Sequence, residues 1–155
     1  MPHETVLPVL RELVRCYQAF ERFSASHIRG LGLTPPQFDV VVTLGNTQGL
    51  SFKDLGERTL ITKGTLTGVV DRLVARGLVQ CALCKTDARS KIVRLTAVGE
   101  RTFHKIFLPH LEHCRPAFEA LTPAARSQLV SRLAELRRAL EAAQLPCEEV
   151  DGAAA

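Results

Sequence analysis

No apolar run in this 155-residue chain approaches the ~18 residues that a membrane-spanning helix requires, so no membrane partner is expected. Residues 1–5 lack the basic-then-apolar layout of a signal peptide, and the expected compartment is cytoplasmic. The five cysteines, Cys16, Cys81, Cys84, Cys114 and Cys147, make an odd count. In a chain expected to stay inside the cell, that argues against a disulfide scaffold. Catalytic signatures are missing too. There is no G-x-x-x-x-G-K-S/T phosphate loop, no H-E-x-x-H helix and no G-x-S-x-G elbow. Nothing gathers the isolated histidines and serines, so an enzyme is not expected. Repeats, low-complexity tracts and long linkers are absent as well, and the length fits a single domain over residues 1–155.

Apolar residues make up 46% of the chain, enough for a core, and charged residues 23%. The charge is unevenly placed. Residues 51–95 hold nine Lys/Arg against four acids, a net +5, which leaves −1 for the remainder of a chain whose total is +4. A basic central segment is the footprint of a surface facing polyphosphate, although a solvated face without a partner looks the same by charge alone.

Hydrophobic spacing predicts helix, helix, short helix, helix, hairpin, helix, helix. The fold class is mainly α with a small β-hairpin. The first helix is predicted over about residues 6–28, with Leu10, Leu13, Tyr17, Phe20 and Phe23 at helical intervals. Thr34-Pro35-Pro36-Gln37 reads as a capping box with prolines in the first turn of the second helix. Ser51 is a good cap for a short third helix over residues 52–58. Thr62 is expected to cap a fourth over 63–76, closed by Gly77, with Leu66, Val69, Val70, Leu73 and Val74 as its buried stripe. Residues 78–83 and 91–95 read as the two strands. Thr96 caps a fifth helix whose expected stripe is Phe103, Phe107, Leu111, Cys114 and Phe118. Pro109 inside it should kink or break it. Thr122-Pro123 starts a sixth helix with Leu129, Leu133, Leu136 and Leu140 on one side.

Two short helices meeting at a tight turn and followed by a hairpin is the order of a winged helix-turn-helix. Such a fold lays its second helix in the DNA major groove. The fourth helix suits that role, because Gly64, Thr65, Gly68 and Arg72 lie opposite its stripe. Gly68 costs roughly 1 kcal/mol against Ala in a helix interior, and a bare spot lets a helix approach a surface closely. Thr62, Lys63 and Thr65 crowd the helix start, where free N–H groups favour phosphate and side chains reach base edges. Ser51, Lys85 and Lys91 are further DNA-contact candidates on this basic segment. Arg89, at the hairpin tip, suits the narrow minor groove, with Asp87 two residues before it as a partner that would fix its direction.

These stretches together resemble a known family. Residues 60–79, LITKGTLTGVVDRLVARGLV, resemble the recognition helix of the MarR family of transcriptional regulators. Asp87-Ala88-Arg89 looks like that family's wing motif, and Leu95-Thr96-Ala97-Val98-Gly99 like its strand-to-helix junction. Thr34-Pro35-Pro36-Gln37-Phe38 is similar to its second-helix start. The resemblance covers about residues 6–143. It implies a winged helix-turn-helix part over 34–95 and a helical dimerisation part over 5–30 and 97–145. It further implies a homodimer binding palindromic double-stranded DNA, usually as a repressor. Thr62, Lys63, Thr65 and Arg72 would face the major groove and Arg89 the minor groove. One departure stands out. The family usually has Arg where this chain has Cys81, and that Arg commonly pairs with the wing's Asp.

The departure creates Cys81-Ala82-Leu83-Cys84. Two thiols near Lys85 and Arg89 would have lowered pKa and oxidise readily. They would alternatively supply two soft ligands to zinc, copper or an iron–sulfur centre, or be plain strand residues. No cofactor is certain on this reading. His104, His110, His113 and Cys114 form a weaker metal candidate, since the resembled family's zinc sensors draw ligands from this helix. Family members often bind small aromatic anions where the winged part meets the dimer helices, and Phe23, His27 and Arg29 are candidates to line such a cleft. The signal that releases DNA is therefore a small ligand or an oxidant. The alternatives are a metal-responsive regulator of the same fold and a winged helix that binds protein instead of DNA.

Overall fold

Capping side chains set most of the helix boundaries. In this computed structural model, which describes residues 3–59, 61–83 and 91–143, the order is α1 (His3–Gly30), α2 (Pro35–Leu44), β1 (Leu50–Ser51), α3 (Phe52–Arg58), α4 (Lys63–Ala75), β2 (Val79–Leu83), β3 (Lys91–Leu95), α5 (Ala97–Glu119) and α6 (Pro123–Ala143). Thr34 Oγ1 accepts from the Gln37 amide at 3.4 Å, and the Thr34 amide donates to Gln37 Oε1 at 3.1 Å, a complete capping box. Ser51, Thr96 and Thr122 cap α3, α5 and α6 by accepting from the Asp54, Gly99 and Ala125 amides. At the end of α4, Gly77 has φ +68° while the Leu78 amide donates to the Leu73 carbonyl. That is a Schellman turn, which glycine makes without a steric penalty.

The chain divides into two compact units, Met1–Cys114 and Arg115–Ala155. The first holds the core. Val40, Val41 and Leu44 of α2, Leu55 of α3, Leu66, Val70 and Leu73 of α4, Val79 of β2 and Val93 of β3 are buried together, with Phe103 and Ile106 of α5 closing over them. The sheet has three strands in the order β1-β3-β2, all antiparallel, with Cys81 opposite Val93 and Leu83 opposite Lys91. The third strand, β1, was not expected. It pairs Leu50 with Val93 and Ser51 with Ile92, just ahead of α3. Gly99 allows α5 to start against the sheet, because a Cβ there would overlap the Leu78 carbonyl.

Two expectations for α5 are corrected. The helix runs unbroken through Pro109, whose side chain is exposed, so the missing donor costs a hydrogen bond without ending the helix. Its buried stripe is Phe103, Ile106, His110 and Cys114, whereas Leu111 and Phe118 are exposed. In the second unit, Arg126 Nη1 donates to the Leu121 carbonyl at 3.0 Å. No residue of α6 is buried. Leu129, Leu133 and Leu140 are exposed on one side, and the Arg132–Glu135 and Arg137–Glu141 pairs are solvated. Among the described residues, no helix is long and apolar enough to cross a membrane.

Candidate nucleic-acid interface

The fourth helix divides cleanly into two faces. Leu66, Val69, Val70 and Leu73 anchor it in the core, whereas Val74, expected on the same buried stripe, is exposed in the helix's last turn. On the other side Thr65, Gly68 and Arg72 follow one another at i, i+3 and i+7, which places them on one stripe. Thr65 and Arg72 are exposed, and a Cβ built on Gly64 or Gly68 would meet nothing within 4 Å. The bare spot is therefore open to whatever the helix docks against and is not required by the protein's own packing.

The start of this helix differs from the expected cap. Thr62 occupies the N-cap position, but its hydroxyl donates to Thr65 Oγ1 at 3.1 Å and no side chain caps the helix amides. An uncapped first turn presents N–H donors and the positive end of the helix dipole, a favourable seat for phosphate. Ser51 is less free than expected. Its hydroxyl accepts from the Asp54 amide and donates to Asp54 Oδ2 at 2.7 Å, so it serves α3. Lys91 is exposed at the start of β3. The side chain of Lys63, and all of Cys84, Lys85, Asp87 and Arg89, lie outside the described residues.

Arg76 was counted with the basic face, yet it has a positioning role. Its Nη1 donates to the Gly32 carbonyl at 3.1 Å and to Gln37 Oε1 at 3.3 Å. The end of α4 is thereby tied to the α1–α2 corner, across 44 and 39 residues of sequence. No local pattern announces such a bond.

Cys81 is exposed on β2. Partial desolvation pushes its thiol pKa up, Lys91 draws it down and Asp71 pushes it up again, for a net rise. This is opposite to the lowered pKa expected of a redox thiol.

The histidines of α5 gather against α1. His27 Nδ1 and His110 Nδ1 are 3.1 Å apart, so one ring donates to the other. Ser24 Oγ and Cys114 Sγ lie 3.2 and 3.7 Å from His110 Nε2. His113 stacks on His27 at 4.2 Å and on Phe23 at 4.4 Å between centroids. His104 stays apart, packed on Phe103. Among the described residues no group of three His, Cys, Asp or Glu is arranged to hold a metal. The rings are engaged with one another by stacking and hydrogen bonding instead.

Beside this cluster lies a cavity of about 500 Å³. The α1 face that lines it carries Tyr17, Phe20, Glu21 and Ser24; α2 contributes Phe38 and Asp39; α5 contributes Phe107 and His110. Phe23, His27 and Arg29, the expected lining, are not on its wall. Phe23 and His27 sit one helical stripe away, facing His113. Ile61, the residue before the α4 cap, does line it, which puts the cavity in touch with the turn that leads into the exposed helix.

Comparison with known proteins gives these features a family. A family model described as MarR family matches residues 31–90. The HTH-type transcriptional regulator TtmR of Methylorubrum extorquens is 34% identical over 124 residues, which is 80% of this chain and 63% of that protein, so the chain spans less than two thirds of that relative's length. The structure of Bordetella bronchiseptica BpsR, whose DNA binding is regulated by 6-hydroxynicotinic acid, superposes with a TM-score of 0.74 at 30% identity, covering 83% of this chain and 92% of the other. AbsC of Streptomyces coelicolor, a MarR family transcriptional regulator, shares the fold with a TM-score of 0.80 at 23% identity over 89% and 95% of the two chains. The half-buried fourth helix, the antiparallel wing strands and these likenesses agree: the chain belongs to the MarR family of helix-turn-helix transcriptional regulators, DNA-binding proteins and not enzymes.

Proposed function

We propose that the protein is a cytoplasmic homodimeric repressor that reads palindromic duplex DNA with α4 and is released by a small aromatic molecule in the α1–α2–α5 cavity. The observation that carries DNA reading is the stripe of Thr65, Gly68 and Arg72, open to solvent on a helix whose other face is fixed in the core. Thr62 and Lys63 at the uncapped helix start meet phosphate and base edges, and Arg89 of the wing enters the minor groove with Asp87 orienting it. Lys85 and Lys91 face the flanking phosphates. A homodimer is supported by large apolar side chains left exposed on α1 (Val6, Leu10 and Val14) and, in the second unit, on α6 (Leu129, Leu133 and Leu140). Such amphipathic faces need a partner, and a second copy pairs them by symmetry.

A ligand is favoured over thiol oxidation as the signal because the Cys81 thiol is raised, which lowers its thiolate fraction. The cavity reaches both Ile61 and the second helix, so an occupant would press on the approach to α4. BpsR, whose DNA binding answers to a small aromatic acid, is a precedent for that kind of control.

The test is selection of bound DNA from a random pool, then titration of the winning site against salt. Two half-sites about one helical repeat (~34–36 Å) apart are expected. Log affinity should fall linearly with log salt as phosphate counterions are released. Arg89→Ala should weaken binding by about 1–3 kcal/mol. A selected pool without dyad symmetry, or an affinity indifferent to salt, would overturn the reading.

A further inference from the structure

One side chain ties the helix assigned to DNA reading to the helix assigned to subunit pairing. We propose that Arg76 fixes the half-site spacing that the dimer accepts, by holding α4 at a set angle to the end of α1. The inference rests on the reading of palindromic DNA by a symmetric pair. Arg76 stands at the C-cap of α4. Its Nη1 carries two hydrogens, which serve the Gly32 carbonyl at 3.1 Å and Gln37 Oε1 at 3.3 Å. Both acceptors are themselves held. Gly32 follows α1 in a turn where its own amide donates to the Arg29 carbonyl at 3.0 Å. Gln37 is buried, and its Oε1 also accepts from the Thr34 amide in a first turn stiffened by Pro35 and Pro36.

The core does not set this angle alone. The buried residues of α4 run from Leu66 to Leu73, and Val74 beyond them is exposed. Apolar burial is non-directional and survives a small swing, whereas a planar guanidinium bonded to two held oxygens has one geometry. The swing matters because of its reach. With 13 residues, α4 is ~20 Å long. A swing of ~10° about its centre moves its end by roughly 1.7 Å, and the twofold doubles that to about 3.5 Å between subunits, close to the ~3.4 Å rise of one base pair. A loosened α4 would therefore reach half-sites one step nearer or farther apart, and Arg76 forbids it.

The probes are the operator selected from a random pool and two versions of it with the half-sites moved together or apart by one base pair, ~3.4 Å along the axis and roughly 35° around it. Affinities for the full-length wild type and Arg76→Ala are read by fluorescence anisotropy. Wild type should bind each re-spaced duplex about tenfold or more weakly than the selected one. Arg76→Ala, a change at an exposed position, should stay within about threefold of wild type on the selected operator and lose no more than about threefold further on either re-spaced duplex. The same re-spacing penalty in Arg76→Ala as in wild type would overturn the inference. One common loss on all three duplexes would overturn it as well, since that is what a merely less stable protein would show. A wild type indifferent to one base pair of spacing would sink it too and leave DNA reading by α4 standing. A selected pool without dyad symmetry, by contrast, removes the palindrome reading and takes the inference with it.

Discussion

Leu73 of α4 and Leu10 of α1 belong to apolar stripes with the same helical spacing, yet Leu73 is 0% exposed and Leu10 is 54% exposed. The contrast extends along both helices. Leu66, Val69 and Val70 are almost completely covered, while Val6 and Val14 stand at 63% and 46%. Periodicity therefore identifies a face that must be covered without saying by what. In α4 the cover is the chain's own core. In α1 the proposal assigns it to a second copy.

Truncation should separate the two faces, and this is the largest effect expected. Leu73→Ala should cost about 2–5 kcal/mol of unfolding free energy, through lost burial and the cavity left behind. Leu10→Glu should leave the unfolding of the isolated chain nearly unchanged but raise the dimer dissociation constant at least tenfold, about 1.4 kcal/mol. Urea denaturation at low protein concentration and sedimentation equilibrium read the two quantities independently. A Leu10→Glu protein that associates like the wild type would break the comparison.

The same helix carries two arginines with different duties. Arg72 is exposed on the stripe with Thr65, whereas Arg76 is bonded to Gly32 and Gln37. Arg72→Ala is expected to weaken operator binding by about 1–3 kcal/mol and to leave the melting temperature in place. Arg76→Ala should lower stability by about 0.5–1.5 kcal/mol and affect DNA binding less. Fluorescence anisotropy and thermal melts on both variants check the split. Equal losses of affinity would remove the distinction.

How much of this was legible in the sequence depends on the reach of each interaction. The caps at Thr34, Ser51, Thr96 and Thr122 act within three residues, and Gly77 ends its helix through bonds to the preceding turn, so each could be read locally. Leu66, Val69, Val70 and Leu73 of α4 could be read because they face one core, whereas Val74, expected on the same stripe, is exposed. What escaped was set at a distance. His110 is buried by Ser24 and His27, which lie 86 and 83 residues away, and the composition of its own helix favours Leu111 for that place. Strand β1 has two residues, too few for any alternation, and exists because β3 offers it a free edge. The cavity was expected on the right helix but one stripe away. Tyr17 and Phe20 fall at helical intervals in the sequence, and only the placement of α2 and α5 shows that they line a space.

Gly68 sharpens the comparison from the other direction. It is a residue whose replacement should help folding and harm function. Nothing lies within 4 Å of an added Cβ, so Gly68→Ala meets no clash and should stabilise the protein by about 1 kcal/mol through helix propensity. The new methyl group would stand between Thr65 and Arg72, where the helix is proposed to approach DNA. Affinity for the operator should therefore fall as stability rises. A variant that gains stability and keeps its affinity would show that the stripe does not make close contact at that point.

The smallest expected effect concerns pH and again sets a buried site against an exposed one. Burial and the adjoining rings depress the pKa of His110, and burial with His113 depresses that of His27, while the unfolded chain titrates near the ordinary value of about 6.5. Above that value neither state binds the protons and the contribution to stability is fully present. Below it the unfolded chain takes up protons that the folded site resists, so stability falls as pH drops from 6.5 toward the depressed folded values. The urea midpoint should decline over that window, and His110→Gln should flatten part of the decline. An identical pH profile in the variant would mean that this cluster does not govern the acid limb. In that case the rings meeting at 3.1 and 4.2 Å would be packing alone.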